Sequence, residues 1–186
     1  LWPKAFIFIK NQVLKTILSE QQLALTVKRL AHQVLENNLQ LTDTVIIGLQ
    51  PRGVFLSNRI VNELKKIVKP GFIQYGKLDI TFYRDDVRKS LHIANQTDIP
   101  FDLTNKKVVL IDDVLYTGRT IRAALDALLA FGRPSKVSLC VLIDRRFSRE
   151  LPIQPDYAGK VIDTILSQKV KVKWKEKDAV DEVVLV

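Results

Sequence analysis

The chain has 186 residues, 47% hydrophobic and 26% charged, the balance of one soluble globular domain. Its 29 basic against 20 acidic side chains leave a net charge of +9, which favours anionic partners, phosphorylated metabolites or nucleic acid, without choosing between them. No apolar stretch approaches the roughly 18 residues that span a bilayer, and a single cysteine excludes an intrachain disulfide.

Residues 1–10 (LWPKAFIFIK) hold a short apolar run without a basic leader or a small-residue cleavage site, so they do not read as a signal peptide. With Cys140 inside the apolar run 137–143, the expected compartment is the cytoplasm, and no membrane partner is expected. Segment 19–37 opens with Ser-x-x-Gln, a capping box, and continues with Leu23, Val27, Leu30, Ala31 and Val34 at helical spacing. The β-branched run 45–48 is a strand closed by a turn. Segment 53–68 reads as a second helix with Phe55, Ile60, Leu64 and Val68 inward. In 72–83, Leu78, Ile80 and Phe82 alternate with Asp79, Thr81 and Tyr83 as in a strand. Residues 84–101 are polar and aperiodic, a flexible loop or hairpin.

Residues 108–111 form a strand ending at Asp112 and Asp113. The helix 120–131 follows, with Ile121, Ala124, Leu125 and Leu128 inward and Gly132 as its stop. A further buried strand covers 137–143. The tail pairs the alternating 169–174 (KVKVKW) with 183–186 as an edge hairpin. Its lysines and Trp174 would suit a nucleic-acid platform, but an amphipathic edge strand guarded by lysines explains them as well and is preferred. Strands alternating with helices predict an α/β fold with a mainly parallel central sheet, residues 1–186 making a single domain. Ligands bind beyond the carboxyl ends of such strands, where Gly48, Asp112 and Asp144 fall.

Residues 108–120 (VVLIDDVLYTGRT) carry the chemistry. Neighbouring carboxylates repel, and each ionised oxygen only accepts hydrogen bonds, which matches two adjacent hydroxyls. The alternative is a solvated turn with a helix-capping Asp. Behind them Gly118 lets backbone amides approach a ligand, hydroxyls flank it at Thr117 and Thr120, and a helix N-terminus offers unsatisfied N–H groups to an anion. A ligand with a vicinal diol and a phosphate, such as a ribose 5-phosphate, satisfies both. The Gly-x-x-x-x-Gly-Lys pattern of a triphosphate-binding loop is absent, as are metal-ligand spacings.

This stretch resembles the phosphoribosyl pyrophosphate (PRPP) motif of type I phosphoribosyltransferases. The similarity runs from about residue 17 to 160 through LTVKRLAHQ (25–33), GLQPRG (48–53), LDITFYRDD (78–86), GRP (132–134), RELP (149–152) and DYAGK (156–160). It points to the branch that joins uracil phosphoribosyltransferase activity to pyrimidine-operon regulation. The resemblance implies a type I phosphoribosyltransferase fold with a small hood at about 146–165 and a flexible loop at 84–101. It also implies that Asp112 and Asp113 hold the ribose hydroxyls, Asp113 being catalytic. By the same resemblance Thr117, Gly118, Arg119 and Thr120 hold the 5-phosphate, Val114, Leu115 and Tyr116 belong with them to the PRPP and UMP site, and Pro51, Arg52 and Gly53 form the pyrophosphate loop. Arg52 and Arg84 would neutralise the leaving group and Arg145 would lie near the base. The Gln50-Pro51 bond is the candidate for a cis peptide, with an ordinary trans turn as the alternative.

Further implications are Mg²⁺ carried on PRPP, the products UMP and pyrophosphate, and self-association as a dimer or tetramer. An attenuator mRNA would meet a basic face of Lys28, Arg29, His32, Arg149 and Lys160. The chain departs from the branch pattern: Asp-Arg-Gly-His-Arg-Glu-Leu reads Asp144-Arg145-Arg146-Phe147-Ser148-Arg149-Glu150-Leu151, and Gln154 and Asn37 stand where basic residues are common. A phosphoribosyltransferase without RNA binding, or one for another base such as a 6-oxopurine, remains the alternative.

Overall fold

A computed structural model describes residues 15–38, 41–69, 71–83, 96–165 and 167–186. The segment 1–10, Arg84 and most of the anticipated loop (84–95) lie outside the described residues. Five strands, β2 (Thr44–Leu49), β3 (Gln74–Leu78), β4 (Lys107–Leu115), β5 (Lys136–Arg146) and β6 (Tyr157–Asp163), form a parallel sheet in the order β3-β2-β4-β5-β6. β1 (Lys15–Leu18), β7 (Val170–Lys173) and β8 (Glu182–Leu185) form a separate antiparallel sheet, β1-β8-β7. No helix among the described residues is long and apolar enough to cross a membrane.

The three central strands, β2, β4 and β5, are buried on both faces, as their near-continuous Val/Ile/Leu runs require. Alternation sends Ile46, Val109, Ile111 and Leu142 to one side, against α1 (Glu20–Asn37), α2 (Gly53–Leu64) and the small sheet. Val45, Ile47, Val108, Leu110 and Val141 face the other side, against α3 (Arg119–Leu128). The predicted start of α1 holds: Ser19 caps it, accepting from Gln22 N at 3.4 Å while its own amide donates to Gln22 Oε1 at 3.0 Å. The five predicted inward residues of α1 are its buried ones.

Several elements differ from their predicted form. α2 ends at Leu64, four residues early, because the chain leaves it in tight turns that still return Val68 to the core. The strand expected over 72–83 stops at Leu78. Asp79 accepts from Thr81 N at 2.8 Å and Thr81 Oγ1 at 2.6 Å, a local turn that competes with the ladder and leaves Phe82 86% exposed. On α3, Leu125 is half-exposed because the buried arc is carried by Ile121, Ala123, Ala124, Ala127 and Leu128, and position 125 lies just past its edge.

Within the anticipated hood, residues 157–163 are instead the edge strand β6, paired from Cys140 to Arg146 of β5. The tail hairpin exists, but in the small sheet rather than at the edge of the main one. Trp174 is fully buried and so offers no exposed stacking platform. It packs 6.1 Å from the Phe55 ring and lies 4.8 Å from the Arg59 guanidinium, which also bonds Glu176 and Asp181 at 2.7 Å. That cluster fastens the small sheet to α2. It places the main-chain carbonyl of Val172 beside the carboxyl end of β4.

Candidate active site

A cavity of about 260 Å³ opens at the carboxyl end of β4, lined by Asp112, residues 114–121 and Glu150. Gly118 turns the chain here with φ of 94°, a left-handed conformation that costs an L side chain about 1–2 kcal/mol. A Cβ at Gly118 would also sit 3.3 Å from Leu151 and Ile153 side-chain carbons. α3 begins at the next residue with no side-chain cap on its N-terminal residue. Thr117 Oγ1 lies 3.4 Å from Arg119 N, and the first-turn amides have no carbonyl of their own helix to bond. The turn read from the sequence thus brings backbone amides and the Thr117 and Thr120 residues together in the lining of the cavity.

β4 extends through both aspartates, and strand alternation separates them. Asp112 lines the cavity, and its Oδ1 accepts from Asp113 N at 2.9 Å. Asp113 faces away from that lining and accepts from Arg52 Nε at 2.9 Å. The two carboxylates thus hold different partners, Asp112 the amide of Asp113 and Asp113 the Arg52 guanidinium. Each is only 8% exposed. Burial raises the Asp113 carboxyl above the ordinary range, and Arg52 opposes that rise without cancelling it.

The Gln50-Pro51 bond is cis. Gln50 N donates to Leu78 O at 2.9 Å and its side-chain amide to Gln96 O at 2.5 Å, anchoring the turn to both neighbouring segments. Arg52 bonds the Val172 carbonyl of β7 as well as Asp113, so it links the turn, β4 and the small sheet. Gly53 begins α2 hard against β4: a Cβ there would meet Ile111 O at 2.5 Å and Asp112 Cα at 2.9 Å. No larger residue could bring this helix start so near the acidic pair.

Arg145 is buried within β5 rather than beyond it. It donates to Thr164 Oγ1 at 3.0 Å and Gln168 O at 2.9 Å, and its guanidinium lies 4.0 Å from the centre of the Tyr116 ring. Burial lowers its pKa, with Tyr116 opposing. Tyr116 lines the cavity, so Arg145 supports the site from behind an aromatic ring.

The basic residues expected to meet RNA fall into two groups. Lys28 and His32 are exposed on α1. Lys160 is also exposed, although its ammonium donates to Ile17 O at 2.9 Å. Arg29 bonds the Ala158 and Gly159 carbonyls of β6 and so packs α1 against the sheet. Arg149 points inward to Asp144 and four backbone carbonyls, and its side chain is only partly exposed. Sequence reasoning missed Glu150, which lines the cavity and ion-pairs with Arg119 at 2.6 Å, and Val172, whose carbonyl holds Arg52. Glu150 was visible inside RELP. Val172 is 120 residues from Arg52, and no local pattern announces it.

Residues 13–177 match the model of the phosphoribosyl transferase domain family. A curated relative, the bifunctional protein PyrR of Halalkalibacterium halodurans, is 45% identical over 177 residues, covering 92% of this chain and 96% of the relative. The chain belongs to the PyrR branch of the phosphoribosyltransferases. PyrR of Chloroflexus aurantiacus is similar at 47% over 173 residues, covering 92% and 94%. A solved hypoxanthine phosphoribosyl transferase of Trypanosoma cruzi superposes with a TM-score of 0.69 at 15% identity, covering 99% of this chain and 94% of that one. One from Staphylococcus aureus gives 0.67 at 19%, covering 91% and 90%. At such identities these structures speak for the fold alone, which is that of the type I phosphoribosyltransferases.

Proposed function

We propose that the protein joins uracil to PRPP, giving UMP and pyrophosphate, and that it regulates pyrimidine genes by nucleotide-dependent binding to their leader mRNA. The observation that supports this most is one cavity holding both Asp112 and the open amide turn of α3, in a chain similar to PyrR proteins over nearly its whole length. The turn 117–120 holds the 5-phosphate and Asp112 a ribose hydroxyl. The bond that breaks joins the anomeric carbon to a pyrophosphate oxygen, and the bond that forms joins that carbon to a base nitrogen. Positive charge builds on the ring and negative charge on the leaving group.

Arg52, now on Asp113, turns to the pyrophosphate oxygens, leaving the Asp113 carboxylate for the second hydroxyl and the cationic ring. Arg84 adds a second positive charge. Val114, Leu115 and Tyr116 wall the ribose and base, with Arg145 behind Tyr116, and Pro51 and Gly53 shape the pyrophosphate turn. No nucleophilic side chain is needed, because positioning and charge stabilisation carry the reaction. Mg²⁺ would enter on substrate oxygens, which hold it with few protein ligands. It would supply charge neutralisation of the pyrophosphate there, beside Arg52 and Arg84. The compartment is the cytoplasm, and the working form is a dimer or tetramer.

Incubating the protein with PRPP and each free base, then resolving the products, tests the enzymatic reading. UMP from uracil is the expected product, and a nucleotide from a 6-oxopurine alone would replace uracil as the substrate. A second reading, a transferase that has lost RNA binding, is favoured by the inward turn of Arg149, by the bonds of Arg29 to β6 carbonyls and by Gln154 in place of a basic residue. Filter binding to the pyrimidine leader at several salt concentrations separates the two. UMP-stimulated, specific affinity supports regulation, and equal weak binding to every RNA supports the enzyme alone.

A further inference from the structure

We propose that Arg149 is a positioning residue that builds the 5-phosphate subsite from behind, an inference that rests on the phosphoribosyltransferase reading above. Its Nε donates to Ile153 O at 2.9 Å. Its Nη1 reaches Leu115 O at 3.3 Å, Tyr116 O at 2.5 Å and Arg145 O at 2.9 Å, and its Nη2 bonds the Asp144 carboxylate. One planar guanidinium therefore ties together the end of β4, the end of β5 and the segment that returns from β5 to β6. The side chain is only 21% exposed, and all three of its nitrogens hold protein acceptors.

The two residues that follow complete the device. The amides of Glu150 and Leu151 both donate to Thr117 O, at 3.0 and 3.2 Å, and the Glu150 carboxylate holds Arg119 at 2.6 Å. The tripeptide 149–151 thus fixes Leu115, Tyr116, Thr117 and Arg119 in turn. These flank Gly118, whose left-handed conformation aims the start of α3 into the cavity. The Leu151 and Ile153 side chains lie against Gly118, so the same segment sets both the backbone geometry and the packing of the turn. Arg149 acts through this turn and touches neither the pyrophosphate loop nor Arg52.

The test compares two competitive inhibitors of the transferase. Ribose 5-phosphate needs the turn, whereas pyrophosphate needs the loop at Pro51 and Arg52. Arg149→Gln is expected to raise the inhibition constant of ribose 5-phosphate about 10-fold to 100-fold and the KM for PRPP with it, since misplacement by about 1 Å costs on that order. The constant for pyrophosphate should stay within about 2-fold, whereas general loosening of the fold would weaken both ligands. Arg149→Lys keeps the charge beside Asp144, and with it the fold, but cannot span the separate carbonyls. It should show the same selective loss, and it carries the test if the glutamine variant does not fold. Equal weakening of both inhibitors, or unchanged phosphate affinity in the lysine variant, would overturn the proposal. Lost RNA affinity with intact PRPP kinetics would also overturn it, because Arg149 would then be a surface contact. A wild-type protein that forms no nucleotide with any base would instead defeat the functional reading.

Discussion

The phosphate turn and the basic face teach opposite lessons about reading arginines and aspartates from a sequence. At the turn, residues 114–121 meet each other, so the order Asp112, Gly118 and the start of α3 specifies a cavity almost unaided. On the basic face, the residue types again suggest an anion, yet three of the five expected residues, Arg29, Arg149 and Lys160, bond backbone carbonyls supplied by other elements. Arg29 meets Gly159, 130 positions away, and Arg149 reaches back 33 positions to Tyr116. A strand–turn–helix motif carries its own partners, whereas the partner of a long cationic side chain is set by the fold.

Substitutions at the two regions sharpen this contrast. The largest effect is expected at Asp113: Asp113→Asn should lower kcat/KM for PRPP by about 10³-fold, because it removes a charge that acts as cation builds on the ribose. Its melting temperature should not fall. Burial holds the Asp113 carboxyl above its ordinary range in the folded protein, so ionising it adds no stability near neutrality. What stability its raised pKa contributes is present in acid and is lost as pH rises through the folded-state value. A lower melting temperature with full turnover would make Asp113 structural instead.

Arg52→Ala comes next, with an expected loss of about 10²-fold in kcat. Arg52 holds down the already raised pKa of Asp113, so its removal should also move the acid limb of the kcat/KM profile to higher pH. An unchanged acid limb would sever the link between the two residues. Gly118→Ala should destabilise by about 1–2 kcal/mol in thermal unfolding, from the left-handed backbone. The smallest effect belongs to the basic face. If RNA binds there, Lys28→Ala should reduce the salt slope of binding by about 1, the worth of one phosphate contact. An unchanged slope would move the RNA elsewhere.

Much of the fold was legible. The capping box at Ser19 and Gln22, the inward set of α1 and the parallel strands around the acidic pair follow from local chemistry. The misread parts failed for physical reasons. Asp79 ended a strand by bonding its own neighbour Thr81, an option that alternation alone does not weigh against the ladder. Tyr157 to Asp163 shows no alternation in its burial along the strand, so neither the residue pattern nor the resemblance that implies a hood there announces β6. The opposite facing of Asp112 and Asp113 does follow from a strand's two-residue period. A strand ended at Ile111 hides it, because β4 runs four residues further, to Leu115.

A crystal structure of the protein with UMP tests the central claim most directly. The account predicts the nucleotide phosphate on the amides and hydroxyls of Thr117, Gly118, Arg119 and Thr120, with a ribose hydroxyl on Asp112. A phosphate bound elsewhere on the protein, with this turn empty at saturating UMP, would contradict it.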